Sequence, residues 1–529
     1  MRPISRDRNK WISLGFMGIS MLVIALDNTV LNLALPLIAS DLGSSSSQLQ
    51  WILAAYVLTI AGLLLTMGYV GDRFGRKPTL MIGLAVFAVF SFGAALSRST
   101  AMLIGMRAMM GIGAAAITPA TLSLITTTFQ KPKERAQAIA FWAAILPLGI
   151  GIGPLVGGWF LDNFHWSSIF YINVPIITIG LIGCFYYVEN SKAKNLHKID
   201  FTGTFFSIVG FLALIFAIIQ AGVEGWTAPP VLFTFGIAFI LLSLFIFLEL
   251  KSDNPMLPIK FFKNMSFTGA NVALALVYFS LMGAFFFLGQ FLLSVQGYTP
   301  FQAGIRILPL AAIAFISTIL SAPIANRIGI KYTVALGILI TAVGFIYFAG
   351  IAAVNVSYIN IVIAMSITGL GVGLTTSPAT NSIMGSIPAG QSGIGSAMNN
   401  TTRQIGVCLG VAVLGSILNS TYLSRINSVQ WPIQLSTQNM EYLRTGIQGA
   451  HVAAENILNP QLSEIVLDRA KQAFTDGSAV ALMVGALILM VTSFITLLIL
   501  PSQIKNQSEN DNSNVIEAKT KITRDKKPA

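Results

Sequence analysis

Charge is scarce in this 529-residue sequence: Asp, Glu, Lys and Arg together make up 10 % of it, against roughly 25 % in soluble domains. With 54 % hydrophobic residues and a mean hydropathy of +0.75, no soluble fold of this length could hide so much apolar surface, and lipid must be the solvent. Cysteine and histidine are nearly missing. Cys184 and Cys408 lie far apart in apolar runs and read as small buried hydrophobes. Three histidines with no HExxH or Cys/His cluster argue against a membrane metalloenzyme and against any bound metal. No GxxxxGK[ST] loop is present to cradle ATP phosphates. No charge ring or filter-like segment recurs, as a channel would need.

What is there is length in apolar runs. Fourteen stretches reach the roughly 20 residues that a helix needs to cross the hydrocarbon core. The fold class expected is therefore an all-α integral membrane protein. The first stretch, 11–36, is too long for a signal-peptide core and has no clear cleavage site after it. Of the 32 Lys and Arg, 24 fall at the two termini and in every second loop, and three (Arg107, Arg306 and Arg403) fall within spans. This asymmetry places both termini in the cytoplasm. It accounts for the net charge of +12 without a nucleic-acid partner. The expected divisions are a six-helix bundle over 1–190, two further spans with linkers over 191–265, and a second six-helix bundle over 266–505. The second bundle carries an external loop, 419–476, read as a small helical hairpin. A disordered cytoplasmic tail is expected over 506–529.

One charged turn occurs twice. "GYVGDRFGRKP" begins at Gly68, and "APIANRIGIKY" begins 254 residues later at Ala322. The shift lays Asp72 on Asn326, Arg73 on Arg327, Gly75 on Gly329 and Lys77 on Lys331. Related halves are a mark of secondary transporters. Gly75 permits a tight bend and Gly68 a close helix neighbour. Asp72 can pair with an arginine or cap a helix amino end.

The sequence resembles the major facilitator superfamily, and within it the fourteen-helix drug:proton antiporters of the QacA/EmrB type. The motifs that carry the resemblance are "LDNTVLNLALP" (Leu26–Pro36), the turn at Gly68, "RAMMGIGAA" (Arg107–Ala115), "PLGIGIGPLVGG" (Pro147–Gly158) and "WSSIFYINVP" (Trp166–Pro175). The resemblance covers nearly all of residues 10–505. It implies that Gly68, Asp72, Arg73, Gly75, Arg76 and Lys77 form a latch that holds the halves in the outward-open state. Asn326 and Arg327 form the weaker twin, because Asn326 replaces the acid and Ile330 a basic residue. It also implies that the fifth span, with Pro147, Gly149, Gly153, Pro154, Gly157 and Gly158, seals the external side and slides as the halves rock. Small residues at Gly149, Gly153 and Gly157 permit backbone-to-backbone packing in any case.

Asp27 is the one acidic residue deep inside a span. A membrane-buried carboxylate is costly and marks a functional site. Poised between desolvation and a nearby cation, it can load and release a proton. The bland alternative is a helix–helix hydrogen bond, for instance to Asn32. Arg107 is its natural partner, because a buried guanidinium demands pairing; the resemblance implies a part in proton coupling. Snorkelling to the external face is the alternative. Arg403, flanked by Asn399, Asn400, Thr401 and Gln404, reads equally as cavity wall or as structure. Asn32, Tyr56 and Gln290 complete the expected substrate cavity.

The expected function is not enzymatic. It is proton-coupled efflux of lipophilic, cationic drugs across the plasma membrane, with no cofactor and the proton gradient as driving force. Deprotonated Asp27 would accompany cargo binding from the inside, and a proton would displace the cargo outside. Export of one specific metabolite, such as a siderophore or an endogenous antibiotic, stays open beside it. Uptake by symport is disfavoured by the glycine-rich fifth span. The partners expected are an amphipathic small molecule, protons and lipid; no periplasmic adaptor is evident from the sequence.

Overall fold

The computed structural model describes residues 6–44, 46–192, 201–251, 259–429, 431 and 435–501. The regular elements among them are all helical, because a lone helix satisfies its own backbone polar groups in lipid. The first half comprises α1 (Arg6–Leu42), α2 (Ser46–Phe74), α3 (Arg76–Ala95), α4 (Thr100–Thr128), α5 (Pro132–Asn163), the short α6 (Ser168–Tyr171) and α7 (Asn173–Tyr187). Then come α8 (Phe201–Glu224) and α9 (Pro229–Lys251). The second half comprises α10 (Met265–Gln290), α11 (Pro300–Ile328), α12 (Ile330–Ile351), α13 (Tyr358–Gly385), α14 (Ser392–Ser428), the short external α15 (Thr437–Arg444) and α16 (Ile447–Glu455), and α17 (Pro460–Ile499). Counting α6 and α7 as one span, Ser168–Tyr187, the described residues contain fourteen spans long and apolar enough to cross a membrane.

Composition sorts the spans by depth. The apolar window of α4 is 83 % buried within the protein and that of α9 only 17 %. The first is rich in Gly and Ala and packs against α2 and α3. The second is apolar all round, with Phe233, Phe239 and Ile240 open to lipid, as a helix at the bundle rim must be. The extra pair is not wholly peripheral: α8 packs on α2, α14 and α9 together, with Ile215 and Ile218 buried among Leu58, Ala61 and Ala412.

The two halves meet in a pseudo-symmetric crossing. α2 packs on α14, and its counterpart α11 packs on α5. Gly68 on α2 lies so close to α14 that a β-carbon there would stand 2.5 Å from the Gly393 carbonyl oxygen and from the Ala397 methyl. Its twin Ala322 packs against Ala136 and Ala140 of α5.

The external segment holds a small pair of packed helices, α15 and α16, as expected, but the stretch that suggested it lies elsewhere. The stretch Gln461–Phe474 is the amino-terminal part of α17, continuous with the last span, and α14 extends to Ser428 at its other edge. The apolar spacing of 461–474 comes from one face of that long helix, where Val466, Ala470 and Phe474 are buried against Tyr422 and Leu443. An Arg425–Asp476 ion pair, 3.0 Å, ties α14 to α17 outside. The two cysteines are buried and unpaired. The tail expected to be disordered lies outside the described residues.

Candidate functional site

α4 starts on a built cap: the Ser99 hydroxyl accepts the Met102 amide at 3.3 Å. Two turns further on, Arg107 is 1 % exposed and turned inward, so it does not snorkel. One guanidinium nitrogen donates to Asp27 Oδ2 at 2.5 Å and Nε donates to the Ile52 carbonyl at 3.4 Å. The other Asp27 oxygen accepts Asn173 Nδ2 at 3.3 Å. Asn173 also donates to Ser91 Oγ at 3.1 Å, and Ser91 donates to the Phe170 carbonyl. The guanidinium lies 4.1 Å from the ring centre of Tyr56, within cation–π range. Asp27 thus joins α1, α4 and α7, with α2 contributing Tyr56 and Ile52. Asn173 and Ser91 were not anticipated; Asn173 lies inside the quoted "WSSIFYINVP" stretch, and its membrane depth was the available signal. A cavity of about 10 Å³ beside Asp27, bounded by Val30, Gly157 and Asn173, has room for a single water.

Glycines fix the helix that carries Asp27. A β-carbon on Gly149 or Gly153 would overlap Ala25 or Thr29, and one on Gly157 would stand 2.5 Å from a Val30 methyl. The expected sliding stripe is therefore the face of α5 that packs on α1 inside the first half. The neighbouring face meets the other half: Pro154 lies against Gly304, Gly158 against Phe301 and Gly151 against Ala311, all on α11. A period of 3.6 residues puts these two sets on adjoining faces.

The first turn is a buried network. Asp72 is 0 % exposed and Arg76 2 %. Asp72 Oδ1 accepts Arg76 Nε at 2.8 Å and Nη2 at 2.6 Å. It also crosses to the second half, accepting the Gly393 amide at 2.9 Å and, through Oδ2, the Ile394 amide at 3.1 Å. Those amides lie in the first turn of α14, where the helix dipole favours an anion. Both uses foreseen for Asp72 occur at once. Ser123 and Ser392 add a contact between halves at 2.7 Å. Lys77 donates to the Phe185 carbonyl, and Arg73 stacks over Phe74. The second turn keeps the backbone and loses the network: Gly75 and Gly329 both have positive φ, +118° and +91°, while Asn326 and Arg327 are exposed.

The expected cavity residues do not share one place. Tyr56 belongs to the Asp27 cluster. Gln290 is half-buried at the external end of α10. The Asn32 side chain lies outside the described residues. Arg403 is buried on α14 and bound to Tyr278 of α10: Nη2 donates to the phenol oxygen, and the guanidinium sits 4.2 Å from the ring centre. Tyr278 in turn lines an apolar cavity of about 30 Å³ between the halves, together with Pro147 and Ile150 of α5, Met282 and Phe285 of α10 and Leu310 of α11.

Comparison with known proteins agrees with this architecture. Residues 17–411 match the family model described as Major Facilitator Superfamily. The chain is 33 % identical over 483 residues to the multidrug efflux pump LfrA of Mycolicibacterium smegmatis, covering 91 % of this chain and 95 % of that protein. It is 32 % identical over 423 residues to the methylenomycin A resistance protein of Streptomyces coelicolor, covering 79 % and 87 %. Among solved structures, the inward-facing bacterial homolog of the human lysosomal transporter Spinster superposes with a TM-score of 0.56 at 17 % identity, over 95 % of this chain and 99 % of that one. Low identity there speaks for the fold alone. With the motifs, the fourteen spans and these relatives in agreement, the chain belongs to the Major Facilitator Superfamily, as a multi-pass plasma-membrane transporter of its fourteen-helix drug-exporter group.

Proposed function

We propose that this protein exports lipophilic drugs in exchange for protons by alternating access. The observation that carries the reading is the Asp27–Arg107 pair, sealed from solvent and bonded across three helices. A buried ion pair is strongly coupled to its own integrity, since removing one charge strands the other. Protonating Asp27 releases Arg107 and disturbs the contacts of α1, α4 and α7 together. Such a change biases a two-state element, and it needs differential contacts to do so. The Asp72 bridge supplies those contacts, existing only while α2 and α14 are closed at the cytoplasmic side.

Protons and cargo then use separate places, with Asp27 in the first half and the cavity lined by Pro147 and Tyr278 between the halves. Coupling runs through the shape of the protein instead of competition for one carboxylate. A cationic cargo would have to displace Arg107 to reach Asp27. The relatives named for multidrug efflux support broad cargo, as LfrA's name states. Those named for resistance to one compound, as with methylenomycin A, support the narrower reading of a single antibiotic.

The test is uptake of ethidium into everted membrane vesicles, the inverted equivalent of export, with and without nigericin, which collapses the pH difference. Movement that stops when the gradient is collapsed supports proton-driven export. Ethidium transport that is indifferent to nigericin contradicts proton coupling, and no ethidium movement at all turns the reading to the narrow exporter.

A further inference from the structure

Fixed charge in the membrane interior is unbalanced. Among the described residues at that depth stand one carboxylate, Asp27, and two buried guanidiniums, Arg107 and Arg403. Asp27 is taken by Arg107. Arg403 lies eleven residues along α14, about 16 Å from its cytoplasmic end at 1.5 Å per residue. It is 8 % exposed and has no carboxylate partner among the described residues. The helices packed around α14 offer none at that level: α4, α10 and α13 carry no acid, Asp72 of α2 is bonded to Arg76, Glu224 of α8 is exposed at its external end, and the acids of α17 lie in its external part. An unpaired buried charge is costly. Tyr278 meets the need in part, with its ring face and its phenol oxygen.

A second observation points the same way. Asn399 lies four residues before Arg403, on the same face of α14. It is 0 % exposed, and both its amide oxygen and its amide nitrogen lack a hydrogen-bond partner. Buried amides are rarely left so. A donor amide and a guanidinium on one face, behind a tyrosine that lines an apolar cavity, make a place for an anion at the end of a lipophilic body.

We infer that Arg403, with Asn399, receives a carboxylate or similar anionic group of the cargo, and that Tyr278 occupies the guanidinium while no cargo is bound. This rests on the transport reading above and goes beyond it, adding an acidic or zwitterionic class of cargo to the cationic one expected from the family resemblance. Its physical basis is charge: the interior carries a net positive charge with Asp27 ionised and a larger one with Asp27 protonated.

The test compares three probes that share one lipophilic body: 1-pyrenebutyrate, 1-pyrenebutanol and 4-(1-pyrenyl)butyl-trimethylammonium. Binding to the purified full-length protein in detergent is read by fluorescence anisotropy. A charge-assisted hydrogen bond in a buried site implies that the carboxylate binds at least roughly tenfold tighter than the ammonium. Arg403→Gln removes that preference, Arg403→Lys keeps part of it, and Tyr278→Phe tightens carboxylate binding because a competing acceptor is gone. A merely structural Arg403 would lower the binding of all three probes alike. Tighter ammonium than carboxylate binding by the unmodified protein overturns the inference, with no need for a variant that folds. So does an unchanged preference in Arg403→Gln, and so does a chloride-dependent rise in unfolding temperature with no binding of the carboxylate, which would mark a site for a free inorganic anion. Proton-driven ethidium efflux alongside any of these overturning results leaves the transport reading standing. Carboxylate binding without proton-driven movement of ethidium or any of the three probes contradicts the transport reading instead.

Discussion

Asp72 on α2 accepts the backbone amides of Gly393 and Ile394 at the start of α14, so one carboxylate of the first half caps a helix of the second. The same carboxylate holds Arg76. Asp72→Asn keeps the shape, halves the acceptor capacity and removes the charge. With charge-assisted bonds worth about 1.5–3 kcal/mol each, the closed cytoplasmic contact should lose roughly tenfold or more of its population. Thiol labelling of a cysteine at Ser396, which is buried on α14, should speed up by a similar factor in the Asp72→Asn background. Labelling at the unmodified rate would show that the bridge holds nothing closed.

The two turns should respond unequally. Asn326 is exposed where its twin is buried, so Asn326→Ala should change transport less than about twofold, within the range of ordinary surface substitutions. Asp72→Ala should abolish most of it. Equal losses at the two positions would mean that both turns latch.

Ser123 and Ser392 face each other across the halves at 2.7 Å. The Ser123→Cys/Ser392→Cys pair should form a disulfide on mild oxidation, stop transport while oxidised and regain it with reductant. Full activity of the cross-linked protein would contradict the idea that this contact must open in each cycle. The native Cys184 and Cys408 are buried and should not interfere.

Gly153 carries the α1–α5 contact. Gly153→Leu should displace the helix bearing Asp27, at a cost of about 1–3 kcal/mol for overpacking, read as a lower unfolding temperature and a loss of transport. Gly289 has open space around it, and Gly289→Ala should be neutral in both measurements. A stable, active Gly153→Leu protein would show that the close packing on α1 is dispensable.

Much of this was legible in the residues. Apolar run lengths and the alternation of basic loops carry topology directly, because lipid imposes them. Asp27 and Arg107 stood out because charge in a membrane is rare, and their pairing follows. Positive φ at Gly75 and Gly329 was readable from glycine at twin positions. Other features depend on which helices touch. The Gly149–Gly153–Gly157 stripe is visible in sequence, but whether it faces α1 or α11 is decided by packing. Tyr56 reads as a cavity aromatic and is instead the ring beneath Arg107. Gln461–Phe474 has the spacing of a separate helix because an amphipathic segment looks the same whether it stands alone or extends a span. The partners of Asp72 are backbone amides, which no side-chain pattern announces.

The most direct measurement is transport by reconstituted Asp27→Asn beside the unmodified protein, in liposomes with and without a pH difference. The unmodified protein should concentrate ethidium against its gradient only when the pH difference is present. Asp27→Asn, with Arg107 permanently unmatched, should lose all gradient-driven accumulation, whether or not it still equilibrates ethidium downhill. Gradient-driven accumulation by Asp27→Asn at the unmodified level would contradict proton coupling at this carboxylate.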